Sequence, residues 1–505
     1  MGQRWGYGLR QQPALRAIRY ANVRFGILPA QSHALTANLP AMRSCRMTAF
    51  STLPLKPALL ASVETLGYTE MTPVQAQSLP AMLEGRDVIA QAQTGSGKTA
   101  AFGLSLLQSL KVESIRLQAL VLCPTRELAD QVSKAIRKLA ANIPNVKLLT
   151  LCGGMPLGPQ LASLTHDPHI VVGTPGRVQE HLKRGSLHGG GIKVLVLDEA
   201  DRMLDMGFSE AIDDIVGRIA KHHQTLLFSA TYPDDIREVS RRMQRNPVEI
   251  TVEAPLDIQP AIEQRFIEVE PASKVDALAT LLTGERGQHA LVFCNMRRDV
   301  DAVAEELDRR GFSAQALHGD MEQRDRDEVL VQFANRSCAV LVATDVAARG
   351  LDITALPLVI SYDVAHDPDT HTHRIGRTGR AGQTGLAITL CTPRERPKAQ
   401  NIEQVLGTPL PWHPLKLASP RGKTLNLAPM KTLVIDAGRQ DKLRPGDILG
   451  ALTGSAGLNA EDVGKIDVFA TRAYVAVKRA LANKALERLR AGKIKGRNLR
   501  VRALG

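Results

Sequence analysis

Residues 87–99 read DVIAQAQTGSGKT: a short apolar strand, a glycine-rich turn and the first residues of a helical run. A turn of this kind exposes backbone N–H groups at a helix N-terminus, where they and the helix dipole hold phosphate. From such a loop Lys98 reaches the outer phosphates of a nucleotide, and the Thr99 hydroxyl holds Mg2+. Ala92 stands where the strict pattern has its first glycine, so the match is one residue short. Alone, a turn of this composition also arises by chance.

A second stretch about 100 residues on removes most of that ambiguity. In LVLDEAD, 195–201, an apolar strand delivers Asp198 and Glu199 at its C-terminal end, where ligands gather in doubly wound sheets. Asp198 is placed to hold Mg2+, and Glu199 to orient and deprotonate an attacking water. A third stretch, HTHRIGRTGR at 371–380, carries Arg377 and Arg380 three apart. Arginines brought across a cleft onto a nucleotide stabilise transition-state charge, although the segment by itself reads as a basic surface loop.

The intervening chain repeats one pattern twice. Apolar runs ALVLCP (119–124), HIVVGTP (169–175), KVLVLDEAD (193–201) and QTLLFSAT (224–231) alternate with amphipathic stretches, then HALVFCN (289–295), AVLVATD (339–345), LVISYD (358–363) and LAITLCTP (386–393) do the same. Continuous apolar strands separated by helices predict parallel sheets buried on both faces. The expected division is a first α/β domain at 47–248, a linker at 249–262, a second α/β domain at 263–405 and a linker at 406–429. A small βαββαβ domain of the RRM type follows at 430–505.

Charge separates these parts. The 505 residues carry +13, of which residues 421–505 hold +11 and residues 1–46, with seven arginines and no acid, +7, leaving −5 on 47–420. A basic C-terminal module points to an anionic partner. Residues 1–46 have the composition of a transit peptide or of a translated upstream leader. The leader reading, with a start at Met47, fits better, because no secretory apolar region is present. Six scattered cysteines form no CxxC pair, which argues against a zinc site or disulfide framework and fits a reducing cytosol. No apolar run is long enough to span a membrane.

With these motifs in order, residues 50–392 resemble the core of the DEAD-box RNA helicases, and the alanine at 92 is that family's own variant. The resemblance implies two tandem RecA-like domains closing over ATP, Mg2+ and single-stranded RNA. Phe50 and GYTEMTPVQ (67–75), with Tyr68, Thr72 and Gln75, resemble the adenine-reading motif. Ala92, Gln93, Thr94, Gly95, Ser96, Gly97, Lys98 and Thr99 form the phosphate loop, and Gly350 and Asp352 reach the nucleotide from the second domain. PTRELA (124–129), Gly153–Gly154 and TPGR (174–177) resemble RNA-backbone contacts, which assigns Pro124, Thr125, Arg126, Gly154, Thr174 and Arg177 to RNA. Gln323, Arg326, Thr344 and Arg349 do the same from the second domain. Ser229, Thr231 and His373 resemble residues that couple hydrolysis to strand separation. Taken singly, Thr72, Arg126 and Thr174 read equally well as helix caps or ion-pair partners.

Beyond residue 425 the sequence is similar to the C-terminal domain of the bacterial DbpA subfamily. That implies a large-subunit ribosomal RNA hairpin as target, a role in assembling that subunit on pre-ribosomal particles, and a cytoplasmic, membrane-free, monomeric enzyme. An RRM reads bases through aromatics on its open sheet face. In AYVAV (473–477) the alternation puts Tyr474, and Arg472 before it, on that face. The first strand offers no aromatic, so loops and basic side chains, with Lys493, Lys495 and Arg497 foremost, are the expected RNA contacts. Two other readings remain: an ATP-gated RNA clamp without productive unwinding, and a DNA-processing ATPase of related architecture.

Overall fold

The computed structural model describes residues 49–92, 95–232, 234–252, 262–284, 289–348, 356–379, 384–415, 427–454 and 457–504. The repeated strand–helix pattern appears as two parallel sheets. Seven strands make the first: β1 (Val88–Gln91), β2 (Ala119–Leu122), β3 (Leu148–Leu151), β4 (Ile170–Gly173), β5 (Val194–Asp198), β6 (Gln224–Ser229) and β7 (Val248–Thr251). Their order is β3-β4-β2-β5-β6-β1-β7. Successive residues of the central strands enter opposite cores. Val121, Val196, Leu226 and Phe228 pack on one face, and Leu120, Leu122, Leu195, Leu197 and Leu227 on the other. Both faces are covered, which is why these strands are apolar throughout.

This order sets β5, β6 and β1 side by side. The acidic stretch after β5, the SAT stretch after β6 and the glycine-rich loop after β1 therefore meet at one edge, outside the carboxyl ends of the strands. β7 departs from the expected linker. The run Val-Glu-Ile-Thr pairs in parallel with β1 and buries Ile250 alone of its four side chains, so as an edge strand it lacks the apolar continuity of its neighbours.

The second sheet holds β8 (Ile262–Glu268), β9 (Ala290–Phe293), β10 (Ala314–Leu317), β11 (Val340–Ala343), β12 (Leu358–Ser361) and β13 (Gly385–Cys391), in the order β10-β11-β9-β12-β13-β8. The free edge of β8 is closed by the expected second linker. Phe266 N–H donates to Pro411 O and His413 N–H to Phe266 O, both at 2.8 Å. Trp412 packs on Phe266, with the Arg396 guanidinium 3.9 Å from its ring centre. An edge covered in this way is not available for pairing with another chain.

The C-terminal sheet is antiparallel: β14 (Met430–Ile435), β15 (Val463–Val468), β16 (Ala473–Lys478) and β17 (Val501–Ala503), ordered β15-β16-β14-β17. Helices Pro445–Thr453 and Ala482–Ala491 cover one face, through Ile448, Leu452, Ala485 and Leu489 against Leu433, Ile435, Val475 and Val477. The other face was expected to be open, with Tyr474 and Arg472 displayed. It lies instead on helix Gln323–Ala334 of the second α/β domain. Tyr474 is 4% exposed and packs with Val434, Leu504 and Val331, its ring edge-on to Phe469 at 5.4 Å. Arg472 and Arg502 reach the Glu328 carboxylate at 3.2 and 3.1 Å. The buried Thr432 hydroxyl lies 2.8 Å from Asn335 Nδ2 and 2.7 Å from Ser337 Oγ. Alternation predicts that two faces exist; a neighbouring domain decides which of them is free.

Among the described residues no helix is long and apolar enough to cross a membrane.

Candidate nucleotide and RNA site

Gly97 begins helix Lys98–Ser109 at φ 95°, a left-handed conformation that side chains disfavour. A Cβ there would fall 2.6 Å from Gln75 Nε2 and 2.9 Å from Thr72 Oγ1. The close approach has a purpose: Gln75 accepts from Thr72 N–H at 2.9 Å and donates to Gly97 O at 3.0 Å, tying helix Pro73–Leu83 to the phosphate loop. The Gln75 amide, expected to read adenine, is thus engaged within the protein. Phe50 is likewise a core residue, 3% exposed, whereas Tyr68, stacked on it at 6.5 Å, remains open to solvent. Lys98 is buried and donates from Nζ to Ala92 O at 2.8 Å. Among the described residues the buried hydroxyls of Thr72 and Ser96 have no hydrogen-bond partner, as expected of groups that take a polar ligand. Gly95 at φ 88° and half-buried Thr99 complete the described part of the loop; Gln93 and Thr94 lie outside the described residues.

Opposite, Asp198 ends β5 fully enclosed. Burial raises its carboxyl to about 6, with Lys98 pulling it down and Glu199 pushing it up. Glu199 adopts φ 55°, ψ 54°, a left-handed conformation that stores roughly 1–2 kcal/mol in a non-glycine residue. Its carboxylate is held by Arg202 Nη1 at 2.7 Å, both side chains being nearly enclosed. Asp201 gathers the SAT stretch: its Oδ2 accepts from Ala230 N–H, Thr231 N–H and the Thr231 hydroxyl at 3.0–3.1 Å. Burial acts to raise Asp201, but the N–H donors of Thr231 and Arg202 and the Arg202 charge outweigh it, and the group titrates low. Ser229 is fully buried at the end of β6. Asp201 is not legible in the sequence, because its partners Ala230 and Thr231 lie beyond another strand; Arg202 pairs with Glu199 three residues before it.

In the second domain, His373 and Arg377 line a small cavity with Thr370, Arg374 and Asp345. Arg374, another residue the motif reading passed over, is the anchor. Its guanidinium reaches both Asp345 oxygens at 2.7 Å and Asn295 Oδ1 and Asp363 O at 2.6 Å, over the ring of Phe293. Thr344 begins the neighbouring helical turn, accepting from Ala347 N–H at 3.4 Å. Arg349, Gly350, Asp352 and Arg380 lie outside the described residues.

The expected RNA residues of the first domain form one connected patch. Thr125 caps helix Arg126–Leu139 by accepting from Leu128 N–H at 3.3 Å, with Pro124 buried before it. The Arg126 guanidinium lies over Gly154, where a Cβ would overlap it. Thr174 Oγ1 accepts from Gly153 N–H at 3.3 Å, and Arg177 donates twice to Met155 O at 3.0 Å. This patch adjoins its second-domain counterpart directly. Arg126 bonds Gln323 Oε1, and Arg326 donates to Glu127 Oε1 at 3.3 Å. Burial, then the Arg326 charge, lowers the Arg126 pKa.

In the C-terminal module, Ile494 N–H bonds Arg497 O and Arg497 N–H bonds Ile494 O, closing a tight turn pinned by the buried Ile494. Lys493, Lys495 and Arg497 all stand exposed on it, Lys495 at φ 54° and donating to Lys442 O at 2.5 Å.

Residues 72–239 match the DEAD/DEAH box helicase family, 273–382 the helicase conserved C-terminal domain and 432–503 the DbpA RNA binding domain. The chain is 54% identical over 459 residues to the ATP-dependent RNA helicase DbpA of Escherichia coli, covering 91% of this chain and all of that one. It is 46% identical over 358 residues to the DEAD-box ATP-dependent RNA helicase CshA of Bacillus cereus, covering 71% of this chain and 68% of that one. A solved structure of S. cerevisiae Dbp5 bound to RNA and ADP BeF3 superposes with a TM-score of 0.65 at 28% identity, over 73% of this chain and 96% of that one. Those matches run through both parallel-sheet domains and the basic module in one continuous order: the chain belongs to the DEAD-box ATP-dependent RNA helicases, and among them to those carrying a DbpA RNA-binding domain.

Proposed function

We propose that this helicase locally unwinds short RNA duplexes beside a large-subunit ribosomal RNA hairpin held by its C-terminal module. We place it in assembly of that subunit on pre-ribosomal particles in the cytoplasm, acting as a monomer. The observation that carries the reading is the exposed cationic turn 493–497 on a module whose other sheet face is seated on the helicase core. RNA gripped by that turn is held by a body in contact with the helix that carries Gln323 and Arg326.

At the nucleotide, Lys98 and the loop N–H groups bind phosphate, and Tyr68 offers a face to adenine. Gln75 fixes the loop against the adenine-side helix. The oxygen ligands Thr99 and Asp198 fit Mg2+, which when bound would supply positive charge to the outer phosphates. Glu199, set by Arg202, orients the attacking water and takes its proton, and Arg377 with Arg380 stabilises the charge that develops. Asp201 passes the state of this site to Thr231. Arg126, Thr174, Gln323 and Arg326 together bind the RNA backbone, so strand and nucleotide both favour the closed arrangement and reinforce each other.

The test is ATPase stimulation across ribosomal RNA fragments. One hairpin-bearing fragment should stimulate at far lower concentration than the rest, and Lys493→Gln, Lys495→Asn and Arg497→Gln together should erase that preference. Equal stimulation by every RNA would reduce the enzyme to a general helicase. Strand displacement with hydrolysable ATP separates unwinding from a clamp.

A further inference from the structure

The loop Gly153–Gly154–Met155 is held from beneath by a side chain that no motif contains. Gln160, on helix Leu157–Ser163 and nearly buried, donates from Nε2 to Cys152 O at 3.1 Å, at the loop's start. Its Oε1 accepts from Arg177 Nη1 at 2.9 Å, and Arg177 in turn grips Met155 O at the loop's end. The same oxygen lies 3.0 Å from Nε2 of His181, a fully buried histidine whose Nδ1 is 2.8 Å from Ser186 Oγ.

Two of these partners are unambiguous. A backbone carbonyl only accepts and a guanidinium only donates, so the amide of Gln160 has one permitted orientation. His181 must then carry a proton on Nε2, while its Nδ1 faces the Ser186 hydroxyl, which also donates to His181 O at 3.2 Å. Burial, then the charge of Arg177, lowers the His181 pKa. Arg177 itself is spent on Met155 O, Gln160 and Glu180, with 11% of its side chain exposed.

We propose that Gln160 is a positioning residue of the RNA-binding surface: one buried amide fixes both ends of the loop Gly153–Met155, one directly and one through Arg177, and presents that loop to the RNA backbone. The inference rests on the reading that this surface binds RNA. Arg126 lies on Gly154 and Thr174 bonds Gly153, so a slackened loop releases both of those residues as well.

The experiment measures RNA-stimulated ATPase and thermal unfolding of the full chain carrying Gln160→Ala, Arg177→Ala, the double substitution and Arg126→Ala. Losing the hydrogen bonds to a guanidinium and a carbonyl should raise the RNA concentration for half-stimulation about tenfold. In Gln160→Ala the rate at saturating RNA and KM for ATP should stay within about twofold, and Gln160→Ala should weaken RNA less in the Arg177→Ala background than it does alone, because only the bond to Cys152 O is then left to lose. Unchanged half-stimulation in Gln160→Ala, or additive effects in the double variant, overturns the inference if Arg126→Ala still weakens RNA. If Arg126→Ala has no effect, the RNA surface itself is misplaced and the inference falls with it. Should Gln160→Ala not fold, histidine ring 15N shifts of the unaltered protein decide. The Nε2–H tautomer at His181 between pH 7 and 8 supports the network, and the Nδ1–H tautomer refutes it.

Discussion

Tyr474 sets its ring between Val331 of helix Gln323–Ala334 and Val434 and Leu504 of its own sheet, so truncation to alanine acts on seating before it acts on RNA. A tyrosine ring of that burial removes roughly 150–250 Å² from water, worth about 4–6 kcal/mol. Part of this belongs to the module, through Val434, Phe469 and Leu504; the share facing Val331 is about 2 kcal/mol, or roughly a thirtyfold shift away from the seated arrangement. The Glu328–arginine contacts and the Thr432–Asn335–Ser337 cluster remain, so the module should still fold. Hydrogen exchange at residues 326–337 should quicken in Tyr474→Ala. Filter binding of a ribosomal RNA hairpin should weaken less than about threefold. Lys493→Gln, Lys495→Asn and Arg497→Gln together should weaken it more than tenfold. They should also flatten the slope of log affinity against log salt by about two, as three lost single-strand phosphate contacts require. The reverse ranking would show that the sheet face, not the turn, holds the RNA.

Other consequences follow from enclosed groups. Arg374→Lys cannot reach Asp345, Asn295 and Asp363 O together, so urea unfolding of the second domain should show a loss of about 3–5 kcal/mol. Gly97→Ala forces a Cβ onto the Gln75 amide at a left-handed φ; binding of a fluorescent ATP analogue should drop more than tenfold while circular dichroism stays unchanged. His371 is buried beside Phe266, bonded to Gln264 Oε1 at 3.3 Å, and its pKa is lowered to about 4 by burial and then by Arg374. Because the unfolded chain protonates this ring first, stability is full above pH 6.5 and declines as pH falls toward 4, by about 3 kcal/mol; His371→Gln should flatten that limb of the thermal unfolding profile.

What the sequence disclosed was contiguous chemistry on strong strands. DVIAQAQTGSGKT and LVLDEAD each contain a buried strand and the residues it delivers, so motif and placement are legible together. Gln160, Asp201 and Arg374 were not legible, since each acquires its role from partners that the fold brings close; Arg202 pairs with Glu199 only three residues away, but the motif itself gives it no role. Edge strand β7, with only Val248 and Ile250 turned to the core and Glu249 and Thr251 outward, resembled a linker for lack of apolar continuity. The seated face of the C-terminal sheet was hidden for a related reason. Val434, Tyr474 and Arg502 each take the outward position of an alternating strand, and among the described residues Val331 and Glu328, more than 100 residues upstream of Val434, cover them from the second domain.

The passage from the second α/β domain into the module is fastened at both ends. Pro411–His413 is laced to β8, and Ala428 is fully buried in the second-domain core. The Ala428 carbonyl accepts from Arg479 Nε at 2.6 Å, two residues before β14 begins. A module that lets go of Glu328 and Val331 is therefore expected to pivot about the stretch anchored at Ala428 rather than drift on the full length of its connection. On the proposed function, the point of anchorage, rather than linker length, would then limit which neighbouring duplex comes within reach.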